Sequence, residues 1–182
     1  MCSQIWSCTM ASPSAGTYGE VMPEQSNPIT MSHPPKAFLR VVNPILSLLL
    51  RTPFAAAGRS QFMVIHFAGR KSGRKYSLVL TAHTIDGILY ALTGASWKYN
   101  FRDGATAKVL HNGKTKTMRG ELIENQILVT DLYYRCVEFY GVKRAEQVMG
   151  VGFRDHRMPT RHEFAEAVHE LRLMAIRLTP SA

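Results

Sequence analysis

The sequence predicts a mainly β fold of the α+β class, in which an antiparallel barrel is joined by a few helices. Three observations lead to that class. Between residues 62 and 123, apolar β-prone segments follow one another with short turns between them. Two of these turns contain Asp86-Gly87 and Asn112-Gly113, pairs that favour two-residue hairpins. No helical segment separates these strands, as a parallel doubly wound sheet would require.

The individual elements follow from composition and periodicity. The predicted strands are 62–68, 76–83, 88–93, 105–111 and 114–123, with a last one at 171–178. Helices are predicted at 130–140, 143–150 and 160–169. Residues 36–52 predict a helix pair, because Asn43 can cap a second helix that has Pro44 at its first position.

Length and composition predict a single domain. The chain has 182 residues, of which 46% are hydrophobic, enough for one full core. Residues 1–33 are polar and rich in Ser and Pro, and we expect a flexible tail there, followed by one domain over 34–182. Three cysteines make no disulfide framework, and no secretory signal is evident. We therefore expect a cytoplasmic protein.

Positive charge is concentrated in one part of the chain. Residues 36–119 contain 14 lysines and arginines against two acidic residues, Asp86 and Asp103. Such an imbalance suits a polyanionic small molecule, a nucleic acid or an anionic membrane surface. The 36–52 helix pair has two interpretations, packing on the barrel or peripheral contact with a membrane.

The loop Gly69-Arg-Lys-Ser-Gly-Arg-Lys75, here called the basic loop, is the strongest functional signal. It places four cations and two glycines between two predicted strands. Glycines let backbone N–H groups turn toward a ligand, and the cations make that ligand an anion. Thr93-Gly94, Trp97 and Asn100 follow and can supply an aromatic wall, so we expect a cleft for a phosphorylated, flat heteroaromatic molecule.

Several other kinds of site are excluded by spacing. The seven histidines include no pair four residues apart on a helix and no Cys pair has zinc-finger spacing, so no metal site is predicted. The chain has no Gly-x-Gly-x-x-Gly after a strand and no phosphate-binding Gly-x4-Gly-Lys-Ser/Thr loop. It also has no Gly-x-Ser-x-Gly nucleophile turn.

The basic loop, Asp86-Gly87 and the pattern Trp97-x-x-Asn100-Phe101 together resemble the deazaflavin-dependent nitroreductase family of actinobacteria. The resemblance covers about residues 36–125. It implies a split β-barrel of the FMN-binding, flavin-reductase-like type, with an N-terminal helix pair and C-terminal helices. It also implies the deazaflavin coenzyme F-420, with FMN as the second choice.

The resemblance also assigns roles to residues. It implies that the basic loop holds the phosphate and tail, that the next strand and the residues after 92 line the ring, and that the Trp-x-x-Asn segment closes the wall. The implied cofactor-binding residues are Arg70, Lys71, Ser72, Gly73, Leu78, Val79, Leu80, Thr93, Gly94, Trp97, Lys98 and Asn100.

The implied reaction is hydride transfer from the reduced coenzyme to a small acceptor, a quinone, a nitroaromatic or an enone. Tyr133, Tyr134 and Tyr140 are candidate proton donors from the helical region. The alternatives are a non-catalytic flavin or deazaflavin carrier and a basic barrel that binds nucleic acid. The nucleic-acid alternative lacks the interleaved surface aromatics of a stacking platform. The resemblance is compatible with a homodimer, and the sequence alone does not determine the oligomeric state.

Overall fold

The computed structural model describes residues 28–31 and 60–181. The strands there are β1 Ile29–Met31, β2 Phe62–Ala68, β3 Lys75–Thr81, β4 His83–Ile85, β5 Ile88–Thr93, β6 Ala105–His111, β7 Lys114–Ile123, β8 Val151–Phe153 and β9 Met174–Pro180. The α-helices are α1 Gln126–Tyr140, α2 Val142–Met149 and α3 Arg161–Glu170. Two 3-10 helices span Ser96–Phe101 and Arg154–His156.

Seven strands form one antiparallel sheet that curls into a barrel. Its strand order is β3-β2-β6-β7-β9-β5-β4, so β3 and β4 lie at opposite ends of the order. Yet only Ala82 separates them in the chain. Because one residue spans only about 3.5 Å, the two ends of the sheet must meet. The predicted class, a mainly β split barrel with helices after it, is confirmed, whereas the predicted helix pair at 36–52 lies outside the described residues.

Alternate residues of the strands fill the barrel interior. A buried cluster includes Met63, Ile65, Phe67, Val109, Ile176 and Leu178, two positions apart within each strand. Phe101, from the 3-10 helix Ser96–Phe101, packs into the same cluster and has no exposed surface. The period of two therefore separates an inner face from an outer face on every long strand.

The three helices cover one side of the barrel, the outer face of β5 and β9. Val129, Tyr133 and Val137 of α1 are buried with Phe164 of α3 and with Tyr90, which points outward from β5. Asn125 caps α1 through its side-chain oxygen, which accepts the Leu128 N–H. No α-helix in residues 28–31 and 60–181 is both long and apolar enough to cross a bilayer.

A small two-stranded sheet ties residues 28–31 to the helices. β1 pairs with β8 in the register Ile29↔Phe153, and the Arg154 N–H donates to the Pro28 carbonyl at 2.8 Å. Ile29 is only 2% exposed. Because this side chain completes the core between the helices, residues 28–31 belong to the folded unit. This corrects the predicted tail over 1–33 for these four residues; the others lie outside the described part of the chain.

Gly120→Ala tests the packing of the barrel end. A Cβ at this position would lie 2.5 Å from Cδ1 of Phe101, a ring that is fully buried. We expect the substitution to lower the free energy of unfolding by about 1–3 kcal/mol, the usual cost of overpacking. Denaturant titration measures it, with Thr117→Ala on the same strand as control. Phe101→Leu should recover part of the loss, and purely additive effects in the double mutant would contradict the clash.

Candidate functional site

The basic loop is a tight hairpin end with an internally bonded backbone. The Gly69 N–H donates to the Arg74 carbonyl at 2.8 Å, and the Gly73 N–H donates to the Gly69 carbonyl at 2.8 Å. Gly73 has a φ of 63°, a conformation that favours glycine. The turn is therefore held firmly at its base, and the side chains of residues 70–75 are exposed around it.

Asn100 joins the basic loop to the 3-10 helix Ser96–Phe101. Its Oδ1 accepts the Arg70 N–H at 2.9 Å, and its Nδ2 donates to the Trp97 carbonyl at 2.7 Å. The Arg70 guanidinium is also paired with Asp103. Two segments thirty residues apart are thus brought to the same end of the barrel. Asn100 holds them together with both ends of its amide.

Most of the loop amides are already used inside the protein. The N–H groups that donate to protein acceptors are those of Gly69, Arg70, Gly73 and Arg74, the last to Ser72 Oγ at 3.3 Å. The expected nest of open backbone donors is therefore largely absent from this loop. The cationic groups of the loop that stay open to solvent are instead the exposed side chains of Lys71, Arg74 and Lys75, which form no ion pair with any described residue.

Trp97 belongs to an aromatic cluster that closes the barrel beneath the basic loop. Phe67 lies at its centre, with ring centroids 5.2 Å from Tyr76, 5.9 Å from Trp97 and 4.9 Å from Phe101. Trp97 is partly buried against the barrel core. This ring system therefore supports the fold, and Trp97 keeps part of its surface exposed.

Lys98 is buried, and its ammonium group donates hydrogen bonds to backbone carbonyls. Its side chain is among the most buried in the described chain, at 1% exposure, and Nζ donates to the carbonyls of Gly94, at 3.0 Å, and Arg172. Burial, followed by the charge of Arg172, lowers the pKa of this ammonium. Lys98 links the loop after β5 to the turn before β9. Its predicted contact with a cofactor stays a prediction.

The strand after the basic loop does not present its three predicted residues together. Leu78 and Leu80 pack against the barrel interior, whereas Val79 faces outward beside Val64 and Leu110. Thr93 and Gly94 lie at the same barrel end as the loop, where Thr93 Oγ1 accepts the Ala95 N–H at 3.0 Å. Of the three predicted strand residues, only Val79 therefore shares the outer face with Lys75 and Ser77.

A cleft of about 480 Å³ lies on that outer face, on strands β3, β2, β6 and β7. In the strand register, His66 stands between Ser77 and Lys108, and Thr117 follows on the next strand. Phe67, Ala68 and Tyr76 add apolar surface, and Lys75 and Thr106 complete the lining. The cleft is continuous with the basic loop through Lys75.

Sequence analysis missed His66 and Lys108 as members of this site. The signal that places them is the combination of period two with hairpin register. His66 alternates with the inward-facing Ile65 and Phe67, and Lys108 alternates with Val109. No group of three or more His, Cys, Asp or Glu side chains within residues 28–31 and 60–181 is arranged to hold a metal ion.

The three tyrosines proposed as proton donors do not line this cleft. All lie on α1, which packs over β5 and β9. Tyr133 is 2% exposed, and burial raises the pKa of its phenol. Tyr134 packs on Phe164 and beneath the Arg161 guanidinium. The three phenols therefore lie away from this cleft, and their role as proton donors stays a prediction.

Tyr140 instead forms part of a buried polar cluster. Its hydroxyl lies 3.4 Å from Nδ1 of His83, and Cys136 Sγ lies 3.7 Å from the same nitrogen. Burial lowers the pKa of His83 to about 4, so that this imidazole is neutral near pH 7. The cluster anchors α1 to the start of β4.

Comparison with known proteins returns weak likenesses. No family model matches the chain, and no curated protein matches it. A conserved hypothetical protein, Rv2991 from Mycobacterium tuberculosis, is 12% identical over 75% of this chain and 80% of that chain, with a TM-score of 0.39. A structure described as a domain-swapped dimer is 13% identical over 76% and 97%, with a TM-score of 0.38. The description of the fold therefore rests on the strand order given above.

Asn100→Ala tests the link between the two segments. It leaves the Arg70 N–H and the Trp97 carbonyl without their partner, and we expect a loss of about 1–3 kcal/mol in the free energy of unfolding. Hydrogen exchange of the Arg70 amide should accelerate beyond the global effect. Gln147→Ala, at an exposed position of α2, is the control for the loss of an amide side chain. Unchanged protection at Arg70 would show that the bond does not hold the loop.

Proposed function

We propose that the chain is a deazaflavin-dependent oxidoreductase that binds coenzyme F-420 in the outer-face cleft. One observation carries the proposal: exposed cations run from the basic loop along the cleft, through Lys71, Arg74, Lys75 and Lys108. A flat ring with a long anionic tail matches an apolar cleft continued by such a row of charges. The acceptor is a quinone, a nitroaromatic or an enone.

The residues present fit the coenzyme in two separate ways. Lys71 and Arg74, at the tip of the loop, would hold the phosphodiester and the oligoglutamate tail. Ala68 and the edge of Tyr76 offer an apolar surface for the ring. Asn100 contributes indirectly, because its hydrogen bond holds the loop in the position from which those cations reach the cleft. Arg70 contributes less charge to a ligand, since Asp103 already pairs with it.

When bound, the coenzyme supplies a hydride that the acceptor receives. The chain's own residues orient the two molecules and shield them from water. A quinone or enone also needs a proton, and His66 is the imidazole in the cleft, between Ser77 and Lys108. We therefore assign proton delivery to His66 in place of the three tyrosines of α1.

A carrier that binds the same coenzyme without turnover is the second candidate. The cleft supports a carrier equally well, because its shape and charge bear on binding of the coenzyme and not on a subsequent reaction. FMN is the second cofactor candidate, but its single phosphate would use only part of the row of cations. The homodimer stays a prediction, and the peripheral membrane contact through 36–52 concerns residues outside the described part.

Coenzyme binding should depend on the tip of the loop. Lys71→Ala combined with Arg74→Ala should raise the dissociation constant for F-420 about tenfold, and added salt should weaken binding of the original protein more than that of the variant. Fluorescence quenching measures both. Lys143→Ala combined with Arg144→Ala removes two exposed cations from α2 and should change neither. Equal dissociation constants in all three proteins would refute the site.

Turnover should separate the enzyme from the carrier. The protein should oxidise reduced F-420 with a quinone or a nitroaromatic, and NADPH should not replace the coenzyme, since the dinucleotide fingerprint is missing. His66→Gln should lower kcat for a quinone by about a hundredfold or more, the usual range for a proton donor, with little change in coenzyme affinity. Tight binding without turnover across a panel of acceptors would favour the carrier.

A further inference from the structure

A second cavity, of about 590 Å³, opens at the barrel end opposite the basic loop. It lies between the turn at Asp86-Gly87, the turn at Asn112-Gly113 and the end of β9. Its floor is apolar and consists of Leu89, Val109, Met118 and Leu178, all members of the barrel core. A cavity of this volume is within the range of small-molecule sites.

Two lysines stand over this floor at positions that face the barrel interior. Lys114 and Lys116 precede Met118 at intervals of two on β7, so the three side chains share one face. Inward positions of a barrel strand ordinarily carry residues that fill it. Both lysines line the cavity, and neither forms an ion pair with any described residue. The two ammonium groups thus lie at the rim of an apolar cavity with no ion-pair partner among the residues that the structure describes.

The charged residues described at the rim have a single sign. The lining residues within 60–181 include His111 in addition to the two lysines, and no Asp or Glu is among them. His111 is held in place, with Nδ1 3.3 Å from the Phe62 carbonyl and Nε2 3.2 Å from Asn112 Nδ2. The nearest acid in the turn, Asp86, is committed to a two-point ion pair with Arg135. The cavity therefore attracts anions and repels cations.

We propose that this barrel mouth binds a small amphipathic carboxylate. Its apolar body lies on the floor formed by Leu89, Met118 and Leu178, and its carboxylate lies between the ammonium groups of Lys114 and Lys116. A neutral apolar molecule would contact the floor but would lack the ion pair with the lysines. A cationic molecule would be repelled by them. The site is separate from the outer-face cleft, since adjacent residues of β6 and β7 face one or the other.

Three ligands with the same chain and different head groups test the proposal. Decanoate, 1-decanol and decyltrimethylammonium, below their micelle concentrations, are titrated by calorimetry. Decanoate should bind about tenfold more tightly than decanol, and the ammonium compound should bind weakest. Lys114→Ala combined with Lys116→Ala should remove the preference of decanoate over decanol. Lys143→Ala combined with Arg144→Ala, which removes the same amount of charge from α2, should keep that preference.

Backbone amide chemical shifts locate the ligand independently. On addition of decanoate, we expect the largest changes at Leu89, Val109, Met118 and Leu178, with the amides of the basic loop unchanged. The proposal is overturned if decanoate does not bind, if the three head groups bind alike, or if the shifts concentrate at the outer-face cleft. Because Lys114 and Lys116 are exposed, the double variant should keep the thermal midpoint, which confirms that any loss is one of binding.

Discussion

The continuity of β3 and β4 is the constraint on which the rest of the structure depends. One stretch of chain pairs with β2 over its first half and with β5 over its second, and Ala82 alone separates the halves. This closes the sheet and gives every long strand an inner and an outer face. The aromatic cluster can then close one end of the barrel, and the other end is left as the lysine-rimmed cavity.

Closure also divides the outer surface. The helices bury the outer face of β5 and β9, with Tyr90 and Ala175 in their core. The opposite strands keep polar residues outside, among them Ser77 and Lys108. In the described structure, the outer wall of the barrel is therefore open to a ligand on the side opposite the helices. The basic loop projects from that side, because it connects two of its strands.

Much of the fold could be predicted because its signals are local. Asp86 and Asn112 have φ values of 50° and 51°, each followed by a glycine at 76° or 72°, the geometry that two-residue hairpins require. Strand positions follow equally from alternation. The pairing of β1 with β8 could not be predicted, since it joins segments about 120 residues apart that are each three residues long.

The candidate site was predictable in part for the same reason. The loop and Asn100 stand out by composition, but the bond between them is tertiary. The residues from Leu78 to Leu80 are expected to line the ring together, but alternation places Val79 on the opposite face from the two leucines. Lys98 resembles a surface cation in sequence. Only the approach of the Arg172 carbonyl shows that its ammonium donates to the turn before β9.

The strand pair β6 and β7 is the common wall of the two cavities. On it, Lys108 and Thr117 face the outer cleft, whereas Val109 and Lys116 face the barrel mouth. A shift of register by one residue would exchange these sets and abolish both sites together. The Asn112-Gly113 turn prevents that shift, because its positive φ angles fix which residues oppose each other. A single hairpin thus determines the chemistry on both faces of the barrel wall.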